Sequence, residues 1–154
     1  MKNLIKWLDG HAGAIQALTA MLTVLIALGA LVGVKLQMDA SERLQREQSA
    51  RDIYREFLNL SISKPEFATP NYCAMTAQKD IAAYENYVEY MLYTADQTVA
   101  ADPDWKRVFI SSMGPHKDYL CSIKDWSVYS EDVQDLGAAF RAGSCASVKP
   151  CTEN

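Results

Sequence analysis

The chain lacks most of the motifs through which familiar enzymes announce themselves. It has no Gly-x-x-x-x-Gly-Lys phosphate loop, no Gly-x-Ser-x-Gly nucleophile elbow and no His-Glu-x-x-His helix, so those reaction classes have no residues to run on. Only two histidines accompany the four cysteines, and no Cys-x-x-Cys pair occurs. A zinc site therefore lacks ligands at a usable spacing, and no metal or cofactor is expected. His116 and Cys121 are the one pair resembling a base and a nucleophile. Five residues apart on a helix, they point about 140° from each other, so a packing histidine and a core cysteine are expected, with no catalytic residue and no enzyme. Basic charge is scarce as well. The first 36 residues hold Lys2, Lys6, Lys35 and Asp9, and the remaining 118 carry 18 acids against 12 Lys and Arg. A surface of that sign repels phosphate backbones, which excludes nucleic acid as a partner. Between Asp80 and Asp104 there is no Lys or Arg at all, as on a solvated helix face.

Charge is also absent from Ala12 to Val34, 23 residues dominated by Leu, Ala, Val and Ile. At about 1.5 Å per residue such a helix crosses a hydrocarbon core of about 30 Å. The run is too long for the apolar core of a cleaved signal peptide, and no clear small-x-small cleavage site follows it. A retained transmembrane helix over 12–36 is expected, behind an interfacial segment over 1–11. Trp7 and Lys6 before the run, and Lys35 after it, stand where interfacial anchors belong. Lys2, Lys6 and the terminal amine flank one end; Lys35, Arg43, Arg46 and Arg51 flank the other. Counting Lys and Arg, the C-terminal part is expected to be cytoplasmic.

Within the span, Gln16, Ala20, Thr23, Ala27, Ala30 and Val34 recur at alternating steps of four and three. This heptad spacing keeps one stripe facing a left-handed partner helix, and the stripe is mostly small or polar. Gly29 and Gly33 form a Gly-x-x-x-Gly pair on a different face. In lipid there is no hydrophobic drive between helices, so close backbone approach and a buried Gln amide are what could hold them together.

Beyond the span, Gln37 to Leu60 contains no Gly or Pro and is rich in Arg, Glu, Gln, Leu and Ala. The helix is expected to continue as a polar stalk over 37–52 and then to present Ile53, Tyr54, Phe57, Leu58 and Leu60 to a core. Pro65 and Pro70 break it. A second long helix is expected over Thr76–Ala101, and a third near Trp105, with Asp102 as cap and Pro103 in its first turn. Gly114-Pro115 should divide that helix. Ser130 should cap a last helix over Glu131–Arg141, ended by Gly143, with a loose tail beyond. The fold class is all-α: one transmembrane helix, a stalk, and a small helical bundle over 53–142 followed by a flexible tail over 143–154.

Tyr84, Tyr87, Tyr90 and Tyr93 fall three residues apart, a step that winds the rings round the helix and denies them a common stacking face. For the cysteines two outcomes follow from the compartment. In an oxidising one, Cys145 and Cys151 could close a small loop and Cys73 could bridge to Cys121; in the cytoplasm all four stay thiols.

The run Ile53-Tyr-Arg-Glu-Phe-Leu-Asn-Leu-Ser61, then Pro65-Glu66, Ala68, Pro70 and Tyr72, the Met91-Leu-Tyr-Thr-Ala95 segment, Asp102-Pro-Asp-Trp105 and His116-Lys-Asp-Tyr-Leu120 resembles an uncharacterised family of small bacterial single-pass membrane proteins with a cytoplasmic helical domain. The likeness covers about Arg51 to Leu136. It implies an architecture and a topology, single-pass with a cytoplasmic C-terminal domain, and carries no activity; a bacterial inner (plasma) membrane is the expected location. Gly114-Pro115 departs from the uninterrupted helix of that pattern. A membrane-anchored interaction module follows as the expected function, either self-associating or an accessory subunit of a larger membrane complex. The alternatives are an oligomeric, channel-like effector and a membrane-bound enzyme. No small-molecule substrate is indicated.

Overall fold

No proline interrupts the first 64 residues, and the apolar run passes directly into strong helix formers. The result is one helix, α1 (Lys2–Ser63). The computed structural model describes the backbone of residues 2–149 and 151, and the side chains of residues 13, 16–149 and 151. All its described elements are helical. Trp7, expected as an anchor, lies outside the described side chains. The chain divides into two compact units, Met1–Leu44 and Gln45–Asn154.

The first unit is α1 alone. Its helix is long and apolar enough to cross a membrane, and none of its apolar window is buried against protein.

The second unit begins with the last turns of α1, where Ala50 and Phe57 are buried. Lys64-Pro65 ends that helix, because a residue before proline is pushed out of the helical region. A short α2 (Pro65–Ala68) and a 3₁₀ turn (Tyr72–Ala74) lead to α3 (Gln78–Ala101). This central helix buries Tyr84, Tyr87, Val88, Met91, Leu92, Ala95 and Val99 at the three- and four-residue steps of one broad face. Next come α4 (Trp105–Met113), α5 (Lys117–Leu120) and α6 (Glu131–Ser144). Helices α3, α4 and α6 pack on one another, enclosing Phe109, Met113, Leu120, Leu136 and Phe140. Each such large side chain contributes roughly 1.5–3 kcal/mol on burial.

Most helix ends fall where the residues direct them. The start of α4 is an exception: its N-cap is Asp104, without a side-chain cap bond, so Asp102 is not the cap and Pro103 lies ahead of the first turn. Asp102 Oδ1 instead accepts the Asp104 N–H at 2.9 Å in the turn before the helix. Gly114-Pro115 converts the chain to a 3₁₀ turn, Gly114–His116, between α4 and α5. Ser130 Oγ accepts the Val133 N–H at 3.4 Å as the cap of α6. Helix α3 starts two residues later than expected, within the fraying of a helix end.

Two expectations about the C-terminal region are corrected. Helix α6 does not end at Gly143 but runs to Ser144 and tightens into a 3₁₀ turn, Cys145–Ser147. Gly143 does not adopt the left-handed conformation through which glycine stops a helix. Nor is the tail loose as far as it is described, since Cys145 and Cys151 are both bonded to the domain.

The aromatic side chains pack as the three-residue step requires. Tyr84 and Tyr87 are buried, Tyr90 is half-buried and Tyr93 is 52% exposed. Trp126 lies against Gly137, where a Cβ would stand 2.4 Å from the indole. Arg141 covers the same ring, its guanidinium 5.3 Å from the ring centre, a cation–π contact that holds the 121–130 loop down on α6.

Candidate interaction site

On α1 the stripe residues Gln16, Ala20, Thr23, Ala27 and Ala30 are all exposed. Gly29 is exposed and Gly33 half-exposed, and a Cβ built on either meets nothing within 4 Å. Both small-residue faces are thus open within a single copy. The hydroxyls along this segment are committed to the helix itself: Thr19 Oγ1 donates to the Gln16 carbonyl at 2.9 Å and Thr23 Oγ1 to the Thr19 carbonyl at 2.8 Å. That bonding makes Thr23 behave as a small, nearly apolar residue at a helix surface. Lys35 is exposed at the end of the apolar run, and its stem joins Leu31, Val32, Leu36 and Asp39 around a shallow recess of about 290 Å³.

In the second unit the polar groups are drawn inward by tyrosines. Tyr84 Oη and His116 Nδ1 lie 3.0 Å apart, both residues fully buried. Burial lowers the His116 pKa to about 4 and raises that of Tyr84, with neighbouring Tyr119 and Tyr72 adding to the rise. The pair is therefore a neutral imidazole and a neutral phenol, a bond that satisfies two buried polar atoms. Cys121, the other half of the sequence-level pair, is bonded to Cys145, so its sulfur offers no thiolate. Tyr87 makes a second such link. Ser61 Oγ donates to the Phe57 carbonyl at 2.9 Å, so its 2.6 Å bond to Tyr87 Oη takes the tyrosine proton.

Around these, the carboxylates of α3 are held by hydroxyls from other elements. Tyr72 Oη donates to Glu85 at 3.4 Å, Tyr129 Oη to Glu89 at 3.0 Å, and Ser130 Oγ to Asp96. The pKa of Tyr129 is raised by burial and by Glu89. Ion pairs such as Arg51–Glu47, Arg55–Asp52, Lys64–Glu66 and Lys106–Asp132 lie off α3. A separate cleft of about 260 Å³ is lined by Arg51, Asp102, Asp104, Trp105 and Val108. In the sequence, Arg51 reads as stalk, Asp102 as a cap, and Asp104 and Trp105 as a helix start. The juxtaposition of Arg51 with Trp105 arises from packing between α1 and α4, and no local pattern reports it. Among the described residues, no three His, Cys, Asp or Glu side chains converge on a space for a metal ion.

The cysteines form two disulfides, Cys73–Cys151 and Cys121–Cys145, with Cα atoms 5.1 and 5.6 Å apart. This corrects the pairing expected for an exported domain, Cys145 with Cys151 and Cys73 with Cys121. It also departs from the four thiols expected of a cytoplasmic one. The reason is spatial: α6 packs on α3 and α4, which brings Cys145 at its end to Cys121 at the end of α5, and the following residues reach the turn that carries Cys73. No cysteine is left free.

No protein-family profile, no curated protein and no solved structure matches the chain.

Proposed function

We propose that this chain is a single-pass inner-membrane protein that works as an interaction module, associating with a second copy or with another membrane protein through α1. The observation that carries this reading is the open small-residue surface of a helix that buries none of its apolar window. In lipid, small residues let two backbones approach, and an interhelical Gln amide bond contributes about 0.6–2 kcal/mol. The intrahelical bond of Thr23 favours packing over a conducting path, because that hydroxyl proton is already used. Replacing Ala20 and Ala27 with Leu should weaken association in a bilayer reporter assay; undiminished association would remove the stripe as the contact, and the same substitution at Gly29 and Gly33 tests the other face.

The two disulfides support a domain on the oxidising side of the membrane, the reverse of the cytoplasmic placement expected from Lys and Arg. Physics allows the reversal, since charge bias governs short flanks and long domains translocate largely regardless of it. A membrane-impermeant thiol reagent applied to intact cells distinguishes the two. Cysteines labelled only after reduction place the domain outside; cysteines labelled without reduction, and only after lysis, return it to the cytoplasm.

A further inference from the structure

The order of the cysteines along the chain conflicts with the order in which they pair. Cys73 bonds to Cys151 across 78 residues, and Cys121–Cys145 lies nested inside that loop, 24 residues long. A domain that crosses the membrane N-terminus first presents Cys73 and then Cys121 before either native partner arrives. At roughly 5–20 residues per second, the 24 residues to Cys145 leave Cys73 and Cys121 as the only thiols outside for roughly 1–5 s. In the folded domain the chain around these two cysteines is brought together. The turn Tyr72–Ala74 packs on α5, and the rings of Tyr72 and Tyr119 lie 5.1 Å apart, so the residues flanking the two cysteines are neighbours through contacts that do not involve α6.

We infer that this protein matures through a mispaired Cys73–Cys121 disulfide and is therefore a substrate of a thiol–disulfide isomerase; the inference rests on the exported placement of the domain. Each thiol pair is first oxidised by a disulfide-bearing thiol oxidase, which takes the two electrons and leaves two protons in solution. That yields Cys73–Cys121 early and Cys145–Cys151 once the tail is out. The rearrangement is redox-neutral. An isomerase thiolate attacks Cys73 Sγ and expels the Cys121 thiolate, leaving a mixed disulfide. Cys121 attacks Cys145 Sγ, forming the native inner bond and releasing the Cys151 thiolate. Cys151 attacks Cys73 Sγ, closing the outer bond and regenerating the isomerase thiolate. Each disulfide broken is matched by one formed. The isomerase would recognise exposed, unpacked chain, because with Cys145 sequestered on Cys151 the α6 segment cannot be bonded to α5.

The full-length chain should be expressed in a bacterial host with its envelope thiol oxidase intact, with and without its disulfide isomerase. Thiols are trapped by acid and alkylation, and the bonds mapped by non-reducing peptide mass spectrometry. With the isomerase, Cys73–Cys151 and Cys121–Cys145 should dominate. Without it, their share should fall to about one third or less, one connectivity among three, with Cys73–Cys121 replacing them. A double variant, Cys73→Ser with Cys151→Ser, removes the mispairing partner and should form Cys121–Cys145 equally in both hosts. Native pairing undiminished without the isomerase, or a double variant that still needs it, overturns the inference and leaves the exported placement standing. Four alkylated thiols in both hosts overturn the placement and the inference together.

Discussion

Lowering the pH from 7.5 to 5 should strip stability from the C-terminal domain through one side chain. His116 is buried as a neutral ring between Tyr84 and Tyr87, with its pKa held at about 4 against an ordinary value of 6.5. The unfolded chain takes up a proton below about 6.5 that the folded chain refuses until about 4. Stability is thus fully present above pH 6.5, falls between 6.5 and 4, and loses nothing further from this group below that. At about 1.36 kcal/mol per unit the full loss is roughly 3 kcal/mol, of which roughly 2 is reached by pH 5. No other histidine lies in this unit. The measurement is urea unfolding of the full-length protein in a mild detergent, followed by near-ultraviolet circular dichroism at several pH values. His116→Asn keeps a hydrogen-bonding atom near the Nδ1 position for Tyr84 and cannot titrate, so its profile should be flat from pH 7.5 to 5. A wild-type profile that is itself flat, or a variant that keeps the full slope, refutes the assignment.

Two glycines of α6 should respond to alanine in opposite directions. Gly137→Ala drives a methyl into Trp126 and should lower stability by about 1–3 kcal/mol, whereas Gly143→Ala meets open space and should raise it by up to about 1 kcal/mol; thermal melts of the pair check both signs. Ser130 Oγ accepts from Val133 N–H and donates to Asp96, so Ser130→Ala should cost about 1–2 kcal/mol, and faster hydrogen exchange in the first turn of α6 would localise the loss.

Local structure was legible from the residues, and long-range pairing was not. Pro65, Gly114-Pro115 and Ser130 act on their own backbone or that of near neighbours, so their effects could be read from position alone. The winding of Tyr84, Tyr87 and Tyr93 needs only the pitch of a helix. Gly143 misled because a glycine permits a helix stop without requiring one, and Cys145, bonded to Cys121, keeps the chain turning past it. The disulfides misled more deeply. Nearest-neighbour pairing follows from chain order, while the native bonds follow from the packing of α6 on α3 and α4, a tertiary fact with no local signature. Tyr84 and His116 met for the same reason across 32 residues; buried polar side chains can be sought in a sequence, but their partners are fixed by packing.

The hydroxyl partners of α3 have a consequence for ionic strength. Glu85, Glu89 and Asp96 receive hydrogen bonds from Tyr72, Tyr129 and Ser130, which fix the carboxylates in place without neutralising them. Domains laced by ion pairs lose that attraction as salt rises. Along α3 these like charges repel one another, and the range of that repulsion shrinks to about 8–10 Å at physiological salt. Added sodium chloride should therefore tighten this domain rather than loosen it, so that dilute buffer is its least stable condition.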